Sequence, residues 1–253
     1  MPQIIIAIPC YNEELRFDPA GVDELLSRAN VSLILVNDGS KDGTLALLER
    51  VAAKSPTRIA VLNLPRNRGK GEAVRLGLRQ ALASGGTIVG YLDADFATPP
   101  AEMLRLIDEA LRSSATMVIA SRVRLLGRHV ERDPLRHGLG RIFATAGSIA
   151  LRLPIYDTQC GAKLIKDCPA LHAALRLPFR SRWAFDVELI KRLLLVEPAL
   201  SADDFLEVPV TVWRDKAGSK LTFSAMAKAA LDLVRIGFTT AESINDADPD
   251  IRS

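Results

Sequence analysis

Gly85-Gly86-Thr87-Ile88-Val89-Gly90-Tyr91-Leu92-Asp93-Ala94-Asp95 is a short apolar run that ends on two acids one residue apart. Two glycines before it and Pro99-Pro100 after it bound the run, and its length and content read as one buried strand. A strand that ends in Asp-x-Asp sets both carboxylates where an open α/β sheet meets solvent, the rim at which such sheets bind ligands. Two acids there suit a hard divalent cation, and the cation can bridge a diphosphate that bare carboxylates would repel. In isolation the same tripeptide reads as a solvated turn. The balance shifts because a second apolar strand, Val31 to Asn37, also runs into an acid, within Asp38-Gly39-Ser40.

The rest of the first half keeps step with that strand. Apolar runs at Ile4–Ile8, Leu33–Val36, Ile59–Leu62 and Met117–Ala120 read as further strands, with helical patterns at 20–29, 42–54, 70–84 and 100–113 between them. Such alternation specifies an α/β fold with a mostly parallel sheet covered on both faces. The helix at 42–54 carries Leu45, Leu47, Leu48 and Val51, with Ser40 or Asp42 as its cap. After residue 121 the rhythm breaks. An arginine-rich stretch (121–135) leads to a helix at 136–152, a polar loop from Tyr156 to Gly161 and a strand at 162–166. A Leu-rich helix at 184–196, a strand at 205–212, a loop at 213–220 and a last helix at 222–238 follow. The expected organisation is one domain over 1–240, in halves 1–121 and 122–240, then an acidic, disordered tail at 241–253.

Composition excludes several classes. With 48% hydrophobic and 25% charged residues, 253 residues suffice for a globular core, and a net charge of +3 is too small to predict nucleic-acid binding. The charge is unevenly placed: Ser121 to Arg152 holds arginines 122, 124, 128, 132, 136, 141 and 152 against only Glu131 and Asp133. Cys10, Cys160 and Cys168 are too few for a disulfide framework or a zinc site and fit a reducing compartment. Met1-Pro2-Gln3 leads straight into a strand without a secretory signal, and no apolar run reaches the ~18–20 residues of a spanning helix. No Gly-x-Gly-x-x-Gly follows the first strand, where Pro9-Cys10-Tyr11-Asn12-Glu13-Glu14 stands, so a dinucleotide dehydrogenase is disfavoured.

Three further segments gather polar chemistry. Asn67-Arg68-Gly69-Lys70-Gly71 opens a helix with a glycine-framed basic loop, which reads equally as an anion site or as a tight turn. Asp157-Thr158-Gln159-Cys160-Gly161-Ala162-Lys163 sets an acid, an amide and a lysine round a glycine; a surface turn leaves Gln159 and Lys163 unexplained. Cys160 reads as a small buried hydrophobe, since no histidine is placed to activate it. Arg182-Trp183-Ala184-Phe185-Asp186-Val187-Glu188 opens a helix with two acids in its first turn, favourable to the helix dipole on its own and flanked by an arginine and two aromatics.

Taken in chain order, these segments resemble glycosyltransferase family 2, in its dolichyl-phosphate glucosyltransferase and mannosyltransferase branch, with the glucosyltransferases nearer. Pro9 to Glu13, Val36-Asn37-Asp38-Gly39-Ser40, Asn67 to Gly71, Asp93-Ala94-Asp95, Asp157 to Gly161, Arg182 to Glu188, and Val208-Pro209-Val210 through Gly218-Ser219-Lys220 carry it, over about residues 3 to 235. The resemblance implies a GT-A fold, a Rossmann-like nucleotide-sugar half at 1–121 and an acceptor half at 122–240. It implies a UDP-sugar donor, UDP-glucose favoured, bound by Pro9, Tyr11, Glu13, Asp38, Lys70, Asp93 and Ala94, with Tyr11, Glu13 and Asp38 at the uridine and ribose. It implies Mg²⁺ or Mn²⁺ on Asp93 and Asp95, and inverting displacement at the anomeric carbon. Asp95, Arg122, Asp186 and Gln159 are the implied catalytic residues. Arg122 and Arg136 would hold the phosphate of a polyprenyl acceptor, while Asp157, Lys163, Trp183 and Glu188 face the sugar or the acceptor. A polyprenyl phosphate, with a second pKa near ~6, arrives as an anion and needs cationic positioning more than a base.

Phe96 and Ala162 depart from the glucosyltransferase pattern and are expected beside the donor or acceptor pocket, where they bear on sugar and lipid choice. Helices 136–152 and 222–238, bordered by Arg or Lys, either cover the sheet or lie in a membrane interface, so the expected location is cytoplasmic, with the second option placing the protein peripherally on the cytoplasmic membrane face. Two rival readings stay open. One keeps the donor and moves the sugar to a soluble hydroxyl acceptor, with Asp186 or Asp157 as base. The other is a sugar-nucleotide-binding protein without turnover, against which the paired Asp93 and Asp95 speak.

Overall fold

The computed structural model describes residues 2–123, 125–131, 134–182, 184–214 and 231–240, and of 131 and 134–142 the backbone alone. Its first half runs β1 (Ile4–Cys10), α1 (Pro19–Leu26), β2 (Val31–Asp38), α2 (Thr44–Ala53), β3 (Ile59–Leu64), α3 (Lys70–Ala83), β4 (Ile88–Leu92), α4 (Pro100–Arg112) and β5 (Met117–Ser121). Its second half adds β6 (His129–Glu131), α5 (Pro134–Leu151), β7 (Ala162–Lys166), α6 (Pro169–Ala174), α7 (Phe185–Leu195), β8 (Phe205–Pro209) and β9 (Val212–Arg214).

One seven-stranded sheet has the order β3-β2-β1-β4-β7-β5-β8. Its pairings are parallel except at β7, which runs antiparallel to both β4 and β5. The first four strands bear out the α/β alternation read from the sequence. Strands β1, β2, β4 and β5 bury nearly every residue, the pattern of a sheet with helices on both faces. One face packs Ala73, Val74 and Leu78 of α3 with Phe185, Leu189 and Leu193 of α7. The other packs Val22 of α1, Leu48 of α2 and Met103, Leu106 and Ile107 of α4.

Direction decides where the site lies. The parallel strands β1, β2, β4 and β5 all deliver their carboxyl ends to one rim, and β7, being reversed, starts there. The insertion of β7 between β4 and β5 therefore brings the 157–161 loop beside Asp93. The two halves expected from the sequence share this one sheet.

Several expectations need correction. The strand at 205–212 is two strands in different sheets: β8 ends at Pro209 and β9 pairs with β6 as a parallel ribbon. Pro209 has no N–H to extend the ladder. The loop expected at 213–220 thus opens as strand, while 215–220 lie outside the described residues. β6 and α6 carry too short a pattern to be read beforehand. The cap of the second helix is Gly43, with no side-chain cap; Asp42 Oδ1 accepts the Thr44 N–H at 3.1 Å and Ser40 Oγ accepts from Asn12 N–H at 3.0 Å. Of the last helix, 231–237 are helical; the rest of it, and the tail 241–253, lie outside the described residues. No helix among the described residues is long and apolar enough to cross a membrane.

Candidate active site

The loops after β1 and β2 are laced to each other. Glu13 N–H donates to Thr44 Oγ1 (2.8 Å), Lys41 N–H to Asn12 Oδ1 (2.9 Å) and Gly43 N–H to Glu14 Oε2 (2.8 Å). Asn12 adopts a left-handed backbone (φ 53°), a conformation its short side chain tolerates. Tyr11 stands exposed on this rim, at the edge where a planar ligand group can rest. Glu13 is buried and its carboxylate is forked by Arg16, whose Nε lies 2.9 Å away. Pro9 is partly buried within β1, opposite Val36 of β2.

Asp38, at the end of β2, is only 2% exposed and points at the loop that precedes α3. Its Oδ1 accepts the Arg68 N–H (2.7 Å), and its Oδ2 accepts from Gly69 N–H (2.9 Å) and Asn67 Nδ2 (3.0 Å). Burial raises its pKa, and the two amides pull the other way. The glycine-framed loop is therefore a turn folded on a carboxylate, and Asp38, implied to meet the uridine, is here held in a buried clasp. The clasp fixes the start of α3, which presents Lys70. Gly69 takes φ 93°, a backbone that strains any side chain, and a β-carbon there would also lie 2.6 Å from Arg182 Nε and push it away.

Lys70 reaches across to the strand-end acids, with Nζ 2.6 Å from Asp93 Oδ1. Burial lowers its pKa, but Asp93, Asp186 and Asp95 together raise it. Asp93 and Asp95 are each partly exposed while Ala94 between them is buried, so the alternation of the chain turns both acids to the rim. Asp95 Oδ1 accepts the Ala97 N–H at 3.0 Å. Asp93 leans on the start of β7: its N–H donates to Gly161 O (2.9 Å), and a β-carbon on Gly161 would lie 2.0 Å from its Oδ2. Asp93 thus already holds one cation, the Lys70 ammonium, on the rim. Among the described residues no group of three or more His, Cys, Asp or Glu side chains is arranged to hold a metal alone.

Arg122, the residue after β5, turns back on Asp157. Its Nε donates to Oδ2 at 2.6 Å and its Nη2 to Oδ1 at 2.8 Å, while its guanidinium lies 5.4 Å from the Trp213 ring centroid. Burial lowers its pKa and Asp157 more than restores it, so the net shift is upward. Two faces of the fork are thus committed before any acceptor arrives. Gln159 follows in the same loop, and its Nε2 is buried without a hydrogen-bond partner among the described residues. Arg136 lies in α5 and its side chain is outside the described residues, as is Trp183.

Three implied site residues face inward instead. Lys163 is 0% exposed, with Nζ 2.6 Å from Cys160 O and paired to Asp186 Oδ1. Asp186 is 4% exposed and also accepts from the Tyr91 hydroxyl. Glu188 accepts the N–H groups of Arg180 (3.0 Å) and Ser181 (2.9 Å) and pairs with Arg192 (2.7 Å), so it holds the entry to α7. Phe96 and Ala162 are corrected likewise. Phe96 packs on Phe17 (5.9 Å between centroids) and against Gly21, and Ala162, the first residue of β7, is buried opposite Leu92 in the same core, so both side chains stand behind the rim and line no pocket surface. Cys160 is fully buried, as read, and burial raises its thiol pKa.

Arg182, the arginine that opens the α7 motif, carries no assigned role in the sequence reading. Its Nη2 donates to Asn67 Oδ1 at 2.7 Å, tying the α7 entry to the loop that Asp38 folds. The two residues are 115 positions apart, and only their shared presence in quoted motifs hinted at a connection.

The sequence model for Glycosyl transferase family 2 matches residues 5–167, from β1 through β7. The chain belongs to this family. As a glycosyltransferase it is similar to a dolichyl-phosphate beta-glucosyltransferase of Trichomonas vaginalis, 37% identical, with 90% of this chain and 69% of that one aligned. It is similar also to those of Dictyostelium discoideum (32%, 92% and 73%) and Homo sapiens (30%, 87% and 69%). Glucosyl-3-phosphoglycerate synthase of Mycobacterium tuberculosis shares the fold of this glycosyltransferase, with TM-score 0.67 at 20% identity over 98% of this chain and 82% of that one.

Proposed function

We propose that this glycosyltransferase moves glucose from UDP-glucose to the phosphate of a polyprenyl or dolichyl lipid, using Mg²⁺ or Mn²⁺, at the cytoplasmic face of a membrane. One observation carries the choice of acceptor. Among the described residues, every candidate-site acid is engaged by donors of the protein: Glu13 by Arg16, Asp38 by the 67–69 loop, Asp157 by Arg122, Asp186 by Lys163 and Tyr91, Glu188 by Arg192, all buried, and Asp93 and Asp95, partly exposed on the rim, by Lys70 and the Ala97 N–H. A hydroxyl acceptor needs a carboxylate free to take its proton. A phosphate acceptor brings its own anionic oxygen and needs cations to place it.

The named relatives support the lipid and the sugar, since they are called dolichyl-phosphate beta-glucosyltransferases. The Mycobacterium tuberculosis enzyme of the same fold was crystallised with Mn²⁺, UDP and glucosyl-3-phosphoglycerate. In this chain Asp93 and Asp95 would hold the metal, which when bound supplies charge neutralisation for the departing diphosphate. Two carboxylates complete a coordination sphere only with oxygens from the substrate and water, which is how Mg²⁺ is usually held beside phosphates. Lys70 neutralises the same diphosphate from the α3 side. Arg122 places the acceptor phosphate with the donors Asp157 leaves free. The phosphate oxygen then forms its bond to the anomeric carbon as the bond to UDP breaks on the opposite side, inverting that carbon. Gln159 Nε2, buried and unspent, is a donor for a sugar hydroxyl or a phosphate oxygen.

Release of UDP from UDP-glucose by the purified protein tests the proposal, measured with and without Mn²⁺ or Mg²⁺ and a short-chain polyprenyl phosphate. Release that needs both metal and lipid phosphate is expected. Release indifferent to the lipid phosphate but driven by a soluble hydroxyl compound would overturn the acceptor assignment. Absence of release together with absence of metal-dependent UDP binding would overturn the whole reading.

A further inference from the structure

Behind the Asp-x-Asp rim lies a buried ionic cluster that the proposed chemistry does not use. Tyr91 of β4 and Lys163 of β7 are direct cross-strand partners, and both turn to the face of the sheet covered by α7. They converge on one oxygen of Asp186 in the first turn of α7: the Tyr91 hydroxyl and the Lys163 ammonium both donate to Oδ1. Lys163 also donates to the carbonyl of Cys160 at 2.6 Å, and its ammonium lies 5.2 Å from the Tyr91 ring centroid. All three side chains are 5% exposed or less.

What the cluster joins gives it meaning. Tyr91 sits two residues before Asp93. The Cys160 carbonyl belongs to the loop that carries Asp157 and Gln159, and Gly161 of that loop takes the Asp93 N–H. Phe185, beside Asp186, lies under Lys70, whose ammonium is 5.8 Å from the Phe185 ring centroid. One oxygen of one carboxylate thus fastens the strand that ends in the metal acids, the loop that holds Arg122, and the helix start beneath Lys70. A buried ion pair holds together only while both charges are present, and removal of one leaves the other uncompensated.

We infer that Lys163 is a positioning residue whose ammonium neutralises Asp186 and ties it down as the joint between β4, the 157–161 loop and α7, so that Asp186 is not the base of the reaction. The inference deepens the proposed function and rests on its reading of Asp93 and Asp95 as the acids that meet the donor.

The test is a double-mutant cycle over K163M, D186N and K163M/D186N in the full chain. Thermal midpoints are measured for all four proteins, and kcat and donor KM at 20 °C, below every midpoint. Each single variant leaves one buried charge alone, so each is expected to lose midpoint and to fall about 10–100-fold in kcat with donor KM within about threefold. The double variant keeps an acceptor for Tyr91 and fills the lysine's volume with an apolar chain. It is expected to regain more than half of the midpoint loss and to come within about tenfold of wild-type kcat. A purely structural tie would move the midpoints and leave kcat alone, which would overturn the positioning role. If Asp186 were the base, D186N and the double variant would both lose over a thousandfold and K163M far less. Failure of the wild type to turn over UDP-glucose would strike the proposed function instead, and the cycle in thermal midpoints would still decide whether Lys163 and Asp186 act as one unit.

Discussion

Gly161 is the residue where the site leaves least room. A β-carbon there would stand 2.0 Å from Asp93 Oδ2 and 2.5 Å from Oδ1, so G161A must push the carboxylate off the rim or shift β7. A displacement of about 1 Å in a group that positions substrate costs on the order of a hundredfold in rate. G161A is therefore expected to lose at least about a hundredfold in kcat and, under the proposed function, to lose the metal dependence of UDP binding expected of the wild type, read by calorimetry with and without Mn²⁺. Lys70 makes a second, opposite prediction. Its ammonium occupies Asp93 in the free protein, so it competes with a cation for the same oxygen. K70M is expected to bind Mn²⁺ more tightly in the absence of nucleotide, by up to about tenfold or ~1.4 kcal/mol, and to bind the UDP-sugar more weakly. Manganese titration followed by electron paramagnetic resonance separates the two effects; equal Mn²⁺ affinity in K70M and wild type would show that the ion pair does not guard the site.

At the scale of elements, the start of α7 illustrates how one sequence pattern serves two ends. Asp186 and Glu188 both fall in the first turn of the helix, where any acid gains from the dipole. Two positions apart on a helix, they point to different sides: Asp186 to the sheet and Lys163, Glu188 to Arg192 and the backbone of 180–181. E188A would leave the buried charge of Arg192 without its carboxylate, though the carbonyls of Ala174, Leu177 and Pro178 still accept from it, and would strand two backbone N–H groups. A loss of ~3–5 kcal/mol is expected, a fall on the order of 10 °C in the thermal midpoint, with kcat at 20 °C within about threefold of wild type. A larger fall in kcat than in midpoint would return Glu188 to the site. The strands and helices of the first half and both acidic strand ends were legible in the sequence because alternation and apolar runs are local signals. The fate of each acid was not. Lys163 sits in β7 opposite Tyr91, and nothing local says that a lysine after Gly161-Ala162 is 0% exposed and spent on an aspartate 23 positions on. The reversal of β7 is equally silent in the sequence, yet it is what sets the 157–161 loop against Asp93.

At the scale of the whole molecule, one surface stands apart from the rim. Ile149 on α5 is 71% exposed, and Leu231, Val234 and Phe238 on and after the 231–237 helix are 52%, 56% and 83% exposed. The two segments touch: a β-carbon on Gly237 would lie 3.6 Å from Ala150 Cβ, so the apolar side chains belong to adjoining helices. Arg152 and Arg235 are placed beside them, the second with a side chain 71% exposed. Apolar side chains flanked by arginines are the composition of an interfacial surface, where each basic residue near an anionic membrane contributes about 1 kcal/mol and the apolar chains add burial. Under the proposed function the acceptor phosphate is anchored in lipid, and this pair of helices is the surface proposed to meet it. The variant I149E/F238E is expected to reduce binding to vesicles containing anionic lipid at least about tenfold in a sedimentation assay, and raising salt to 0.5 M is expected to weaken the wild type as well, because the arginine contribution is screened. Turnover on a short, water-soluble polyprenyl phosphate should stay within about twofold, since neither residue touches the rim. Equal vesicle binding by variant and wild type would move the membrane contact elsewhere on the molecule, and loss of turnover on the soluble acceptor would mean that these helices shape the active site from a distance.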